Sequence, residues 1–351
     1  MSPDKPRPGA PNRAGLTIEA YKGRPSTLCN GCGHDAISNQ LVRAFYEYGI
    51  DPAEVVKFSG IGCSSKTPAY FLGRSFGFNT IHGRMPSVAT GALVANRRLK
   101  GLAVSGDGDT ASIGIGQFVH AMRRNIPLIY ILENNGVYGL TKGQFSATAD
   151  RGSRRKGGDA NELPPVDCCA LAIELGCGYV ARSFAGDPKQ LSALLKGALG
   201  HRGTAFIDVL SPCVTFNNHE GSTKSYPYLK GAEEWLHDVG FIPYFEQIAV
   251  DYADGTTREI ELHDGSRLTL GKLEREYDPT DRLGALAKLR ASSEEGTLEE
   301  RTFLTGLFYI DGRKPDFTEL LDLDDEPLAA LPPEKLRPSR AAFEEILARL
   351  R

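Results

Sequence analysis

The 351-residue sequence contains no apolar run approaching the ~18 residues needed to cross a bilayer, so a helical membrane protein is not expected. Neither sign of charge dominates. With 41 basic residues against 44 acidic ones the net charge is −3, and no overall field draws the chain to nucleic acid or anionic lipid. Any anion site must therefore be local. Cysteines number only seven and follow no regular spacing, which excludes a disulfide-rich secreted scaffold. The opening residues, Met-Ser-Pro-Asp-Lys-Pro, offer no apolar signal core, so a cytoplasmic protein with reduced cysteines is expected. Internal repeats and low-complexity segments are also lacking.

What is present is globular: 41% hydrophobic residues, 24% charged residues and 39 glycines, enough for one large or two ordinary domains. Residues 1–25, with prolines 3, 6, 8, 11 and 25, read as a flexible arm unable to nucleate helix or strand. Beyond it, strands and helices alternate. Strands are expected at 55–59, 102–105, 127–132, 179–182 and 205–210, with helices at 35–48, 113–124, 166–175 and 188–199. Alternation without hairpin turns implies an α/β fold with a doubly wound, mostly parallel sheet over residues 26–248. From 249 to 351 the pattern changes. Asp-Gly pairs at 254 and 264 punctuate short alternating runs, followed by charged helical pieces, which reads as a C-terminal α+β extension.

Gly106-Asp107-Gly108-Asp109 follows one predicted strand, and Asn134-Asn135 follows the next. Asp107 and Asn135 lie 28 residues apart, the length of one helix plus one strand, so both return to the carboxyl edge of the sheet, where such folds bind ligands. A carboxylate, an amide oxygen and the Val137 carbonyl form a hard oxygen set suited to Mg²⁺. Gly106 and Gly108 let the backbone approach a diphosphate, and a helix starting near Ser112 would aim free N–H groups at it.

Cys29-Asn30-Gly31-Cys32-Gly33 precedes the first predicted helix, while Cys63 and Cys213 each follow a predicted strand. Four thiolates meeting there would satisfy a 4Fe-4S cluster or a structural zinc, and the cluster is favoured because two of the four ligands stand alone. Cys168, Cys169 and Cys177 lie in or beside an apolar helix and read as core residues.

These motifs, with Gly60-Ile61-Gly62-Cys63-Ser64-Ser65-Lys66, His82-Gly83-Arg84, Asn134 to Gln144 and Ser211 to Asn217, resemble the β subunit of 2-oxoacid:ferredoxin oxidoreductases. The resemblance runs over roughly residues 20–245 and covers the C-terminal third weakly. It implies the diphosphate-binding fold of thiamine diphosphate enzymes and CoA-dependent oxidative decarboxylation of a 2-oxoacid, with electrons passing through the cluster to ferredoxin. Asp107, Asn135 and the Val137 carbonyl would hold Mg²⁺, and Gly139-Leu140-Thr141 would lie under the phosphates. Ile61, Gly62, Cys63, Ser64 and His82 would line the cofactor together with Gly106, Gly108 and Asp109, with His82 a catalytic candidate near its diphosphate or the reacting centre. Lys66 and Lys142 would suit a dicarboxylate, favouring 2-oxoglutarate over pyruvate or a broad range of 2-oxoacids.

Several readings stay open at this level. His82 could equally be a hydrogen-bonded core histidine, and the lysines solvated surface residues. The basic loop Arg151 to Lys156 could attract coenzyme A or an acidic ferredoxin, or be a flexible solvated loop. Gly114-Ile115-Gly116-Gln117 stands where many relatives have Gly-Gly-Asn-His, which puts side-chain contacts from that turn in doubt. No second set of motifs supplies the activating glutamate, so a separate α subunit is expected to complete the site. A non-redox thiamine enzyme would lack iron, and a zinc-stabilised interaction scaffold would bind zinc but no thiamine diphosphate.

Overall fold

A computed structural model describes residues 9–156, 158–245, 257–271, 277–294 and 302–350. Strands β1 (Val55–Ser59), β2 (Phe76–Asn79), β3 (Lys100–Gly106) and β4 (Leu128–Asn134) come first. A short hairpin, β5 (Val137–Tyr138) with β6 (Gln144–Phe145), follows. Next come β7 (Tyr179–Phe184), β8 (Ala205–Leu210), β9 (Glu233–Trp235), β10 (Asp238–Ile242), β11 (Thr257–Glu261), β12 (Arg267–Gly271) and β13 (Phe303–Ile310). Eight of them form one sheet in the order β2-β1-β3-β4-β8-β7-β13-β9. Pairing is parallel throughout except between β13 and β7. A doubly wound, mostly parallel α/β fold is thus what the chain adopts.

The two faces of the sheet follow from the period of two along each strand. Leu102, Val104, Ile129 and Ile131 pack on one side with Ile37, Leu41 and Phe45 of helix α1 (Gly33–Tyr48). Ala103, Tyr130 and Leu132 point to the other, against Phe118 and Met122 of a helix at Ile115–Arg124 and Ile173 of a helix at Cys168–Glu174. Burial on both faces explains why β4 is buried along its whole length and reads as an apolar run from Leu128 to Leu132. Cys168, Cys169 and Cys177 sit in the second core as fully buried packing residues. Among the described residues no helix is long and apolar enough to cross a membrane.

Several expectations need correction. Residues 1–8 of the expected arm lie outside the described part, but the rest is packed onto the domain. A 3₁₀ turn forms at Ile18–Tyr21, Tyr21 is fully buried, and Asn12 Nδ2 donates to the Tyr21 hydroxyl and the Tyr46 carbonyl, each at 2.7 Å. The expected domain boundary at 248 and the Asp-Gly pair at 254 lie outside the described residues. The second Asp-Gly pair does turn between β11 and β12, which join β10 in a three-stranded antiparallel sheet. The C-terminal segment nevertheless does not stand apart: β13, buried along all eight residues, is inserted into the main sheet. The basic loop is fastened rather than loose, with Arg154 N donating to Gly221 O at 3.0 Å, Gly152 N to Asn161 O at 2.7 Å, and Arg155 paired with Asp159.

If β13 belongs to the core, Leu307→Ala, at a fully buried position, will lower unfolding free energy in urea by about 2–5 kcal/mol. A loss under about 1 kcal/mol would mean a separable appendage.

Candidate cofactor site

Parallel pairing brings the carboxyl ends of β1, β2, β3, β4 and β8 to one edge. A cavity of about 120 Å³ opens there. It is lined by each residue that the sequence assigned to cofactor binding: Ile61, Gly62, Cys63, Ser64, His82, Gly106, Asp107, Gly108, Asp109, Asn135, Val137, Gly139, Leu140 and Thr141. His34 and Tyr138 complete the lining and were not anticipated. Glycines keep the cleft open. A Cβ on Gly108 would meet the Tyr138 ring at 2.3 Å, and Gly62 has φ +126°, a conformation that disfavours side chains.

Asp107 follows β3 directly and is almost completely buried. Its carboxylate accepts from Thr148 Oγ1 at 2.9 Å, from Ser146 Oγ, and from Asn135 N at 3.4 Å. Burial pushes its carboxyl up, and those hydrogen bonds oppose the rise. Asn135 Oδ1 caps its own loop by accepting from Val137 N at 3.1 Å. Neither Ser146 nor Thr148 carries a sequence signal, since both follow an irregular hairpin. The turn after Asp107 also differs from expectation. Instead of a helix from Ser112, a π-helical turn spans Gly108–Ile113, closed by Gly114 N to Asp109 O at 2.9 Å, and the α-helix begins only at Ile115. The helix start expected to face the diphosphate is thus replaced by this π turn.

The four cysteines expected to bind a cluster are neighbours. Cys32 N donates to Cys29 O at 3.0 Å, Gly33 N reaches Pro212 O at 3.3 Å, and Thr215 Oγ1 donates to Cys29 Sγ at 3.2 Å. A Cβ on Gly139 would lie 3.6 Å from Cys213 Sγ and 3.7 Å from Cys63 Sγ, so this glycine is the seam between sulfurs and cleft. Among the described residues, no three His, Cys, Asp or Glu side chains close to metal-ligating distance. The chemistry of the donors still fits: four sulfurs from three loops for a cluster, and only oxygens at Asp107, Asn135 and Val137 for Mg²⁺. Burial pushes the Cys32 thiol up to about 12 and raises that of Cys63, the Cys213 thiol adding to both. A cluster would have to displace these protons.

Behind the sulfurs lie two buried groups that the sequence reading passed over. His34 Nδ1 is 2.6 Å from Ser211 Oγ and 3.6 Å from Glu133 Oε2. Burial holds His34 down at about 4, while burial and then Asp35 push the Glu133 carboxyl well above its usual range. Lys66 and Lys142 are exposed and do not line the cleft. Lys142 stands at φ +79°, an unusual conformation for a side-chain-bearing residue, in the turn closed by Gly143 N to Tyr138 O at 2.9 Å.

Residues 60–209 match the family model for the thiamine pyrophosphate enzyme, C-terminal TPP binding domain. Fold, cleft and match define a thiamine diphosphate-binding domain. Over 214 residues the chain is 45% identical to the 2-oxoacid:ferredoxin oxidoreductase subunit beta of Saccharolobus solfataricus, covering 61% of this chain and 68% of that one. It is 47% identical over 202 residues to the subunit beta of a Sulfolobus species, covering 57% of this chain and 66% of that relative. In structure it resembles the 2-oxoglutarate:ferredoxin oxidoreductase of Magnetococcus marinus, solved with 2-oxoglutarate, coenzyme A and succinyl-CoA bound. That match has a TM-score of 0.72 at 30% identity, over 95% of this chain and 96% of the other. The chain belongs to the β subunits of 2-oxoacid:ferredoxin oxidoreductases, an enzyme family.

The thiol chemistry gives a direct check. In metal-free chain, iodoacetamide at pH 8 will label exposed Cys29 well before Cys32, whose rate will climb about tenfold per pH unit below its raised pKa. Rapid labelling of Cys32 at pH 8, mapped by mass spectrometry, would contradict a half-buried thiol held in its protonated form.

Proposed function

We propose that the chain is the β subunit of a 2-oxoglutarate:ferredoxin oxidoreductase. It would carry out CoA-dependent oxidative decarboxylation to succinyl-CoA and CO₂, with electrons leaving through one 4Fe-4S cluster to ferredoxin. One observation carries the reading: Cys63 lines the diphosphate cleft, and its sulfur shares the Gly139 seam with Cys213. A decarboxylase without redox chemistry has no need of four cysteines beside its cofactor.

Within this reading Asp107, Asn135 and the Val137 carbonyl hold Mg²⁺, while Cys29, Cys32, Cys63 and Cys213 hold the cluster. Thiamine diphosphate, when bound, supplies the electron sink for decarboxylation. Ser146 and Thr148 donate to the Asp107 carboxylate and would hold it in place as a metal ligand. Gly106, Gly108 and Gly139 line the cleft without side chains and would let the backbone come close to the diphosphate.

Exposed Ile61 and Leu140 line the cleft, and exposed Ile81 and Ile113 adjoin its His82-Gly83 segment, which supports an α subunit closing over it and completing the site. Lys66, just beyond Cys63, and Lys142, just beyond Thr141, would meet the distal carboxylate of the substrate at that junction. Exposure in the isolated subunit agrees with a pocket shared between chains. Arg154 and Arg155, held on a fastened loop, are candidates for coenzyme A phosphates or acidic ferredoxin.

Anaerobic co-expression with an α subunit should give CoA-dependent dye reduction faster with 2-oxoglutarate than with pyruvate or a branched 2-oxoacid, and none from the chain alone. Lys66→Ala and Lys142→Gly should each raise KM for 2-oxoglutarate about tenfold while sparing pyruvate, as expected for loss of one charge-assisted contact. Lys142→Gly should not lower Tm, because glycine accepts the left-handed turn. Pyruvate preference, untouched by either change, would sink the dicarboxylate assignment.

A further inference from the structure

Asp109 stands two residues beyond the proposed Mg²⁺ ligand and lines the cleft, yet its carboxylate is committed to the protein. Oδ1 accepts from Gly83 N at 2.8 Å and from Ile61 N at 3.2 Å and is in hydrogen-bond contact with His82 Nδ1, and Oδ2 accepts from Ser105 Oγ at 2.7 Å. The residue is 3% exposed. One carboxylate therefore ties together the loops after β1, β2 and β3. Two glycines are shaped to it. A Cβ on Gly60 would lie 1.8 Å from Asp109 Oδ2, and Gly83, at φ +72°, carries its N–H to Oδ1 while packing where a Cβ would meet Ile113 and Gly114 within 2.9 Å.

We infer that Asp109 is a positioning residue for His82: it holds the Nδ1–H tautomer and leaves Nε2 as the unprotonated nitrogen presented to the cleft. The hydrogen-bond inventory argues for this. Oδ1 already faces two backbone N–H groups, which can only donate, so the third group reaching it must donate as well. A histidine with Nδ1–H engaged keeps Nε2 as its acceptor. The ring is then held on a second side by the edge of Tyr138, with centroids 6.4 Å apart at 70°. Partly exposed and fixed at both ends, His82 can accept or relay a proton at a set position in the cleft, whereas the Asp109 carboxylate is taken up by protein groups. The geometric part stands on the chain alone. The catalytic part rests on the oxidoreductase reading above.

Nitrogen-15 NMR of the full-length chain labelled at its histidine rings, with His82→Gln identifying the resonance, reads the tautomer without any cofactor. The wild-type protein should show His82 protonated at Nδ1 at pH 8, and Asp109→Asn should move the proton to Nε2 or mix the two forms. A wild-type Nε2–H tautomer would overturn the inference, and this needs no variant to fold. Ser105→Ala, which removes the Oδ2 anchor and the hydroxyl to which Thr110 Oγ1 donates but leaves every Oδ1 contact in place, should leave the tautomer unchanged; a change would mean that general packing sets it. In the αβ enzyme, Asp109→Asn should lower kcat about a hundredfold, the scale of general acid–base assistance, with KM for the 2-oxoacid within about twofold. An unchanged kcat would overturn the catalytic part. If the tautomer is as inferred and the enzyme oxidises no 2-oxoacid, the functional reading fails instead.

Discussion

Parallel pairing of β1, β3, β4 and β8 is the constraint on which the site depends. In a parallel sheet every strand ends at the same edge, and the loop after it must leave from there. The segments beginning at Gly60, Asp107, Asn135 and Ser211 come from distant parts of the chain, yet the register Ser59 with Val104, Gly106 with Glu133, and Asn134 with Leu210 sets their starts side by side. Antiparallel pairing anywhere among these four would send one group to the opposite edge. The one antiparallel neighbour, β13, lies beyond β7, where no proposed ligand originates.

Polar groups are buried at that edge only where a partner or a task is available. Asp107 is compensated by two hydroxyls and a backbone N–H, and Asp109 by three N–H groups and a hydroxyl. Asn134 extends the network away from the cleft, donating to Asp208 at 3.0 Å, and Asp208 in turn accepts from Arg182 at 2.9 Å. Exceptions are both Glu133 oxygens and Asn217 Oδ1, none of which receives a hydrogen bond of standard geometry. Leaving such a group unmet costs about 1–3 kcal/mol, so this edge gives up stability that an apolar one would keep. The apolar faces on both sides of the sheet offset that loss and hold the loops in register.

Much of this was legible in the sequence because the informative residues sit at predictable places. β3, β4 and β8 announce themselves as buried runs, and glycine, aspartate and asparagine just beyond them mark the binding edge. Each residue assigned to the cofactor does line one cleft. The misses have physical causes. β2, Phe-Gly-Phe-Asn, is an exposed edge strand without a buried run to reveal it. β13 pairs with β7 across more than a hundred residues of intervening chain, and no local pattern encodes that distance. The packed N-terminal segment is proline-rich and polar, and it is held by contacts of Asn12 and Tyr21 rather than by periodicity. Ser146 and Thr148 act through a hairpin of only two residues per strand, too short to be recognised beforehand.

The account stands or falls on electrons leaving the cleft through the four cysteines. The most direct measurement is rapid mixing of the anaerobic αβ enzyme with 2-oxoglutarate and coenzyme A, without dye or ferredoxin, while following its visible absorbance and its low-temperature paramagnetic resonance. The account predicts a brown protein whose absorbance bleaches as a reduced-cluster signal grows, with both lost when Cys63 or Cys213 is replaced by serine. A colourless enzyme that still consumes the 2-oxoacid, or a brown one whose spectrum is unmoved by substrate, would contradict it.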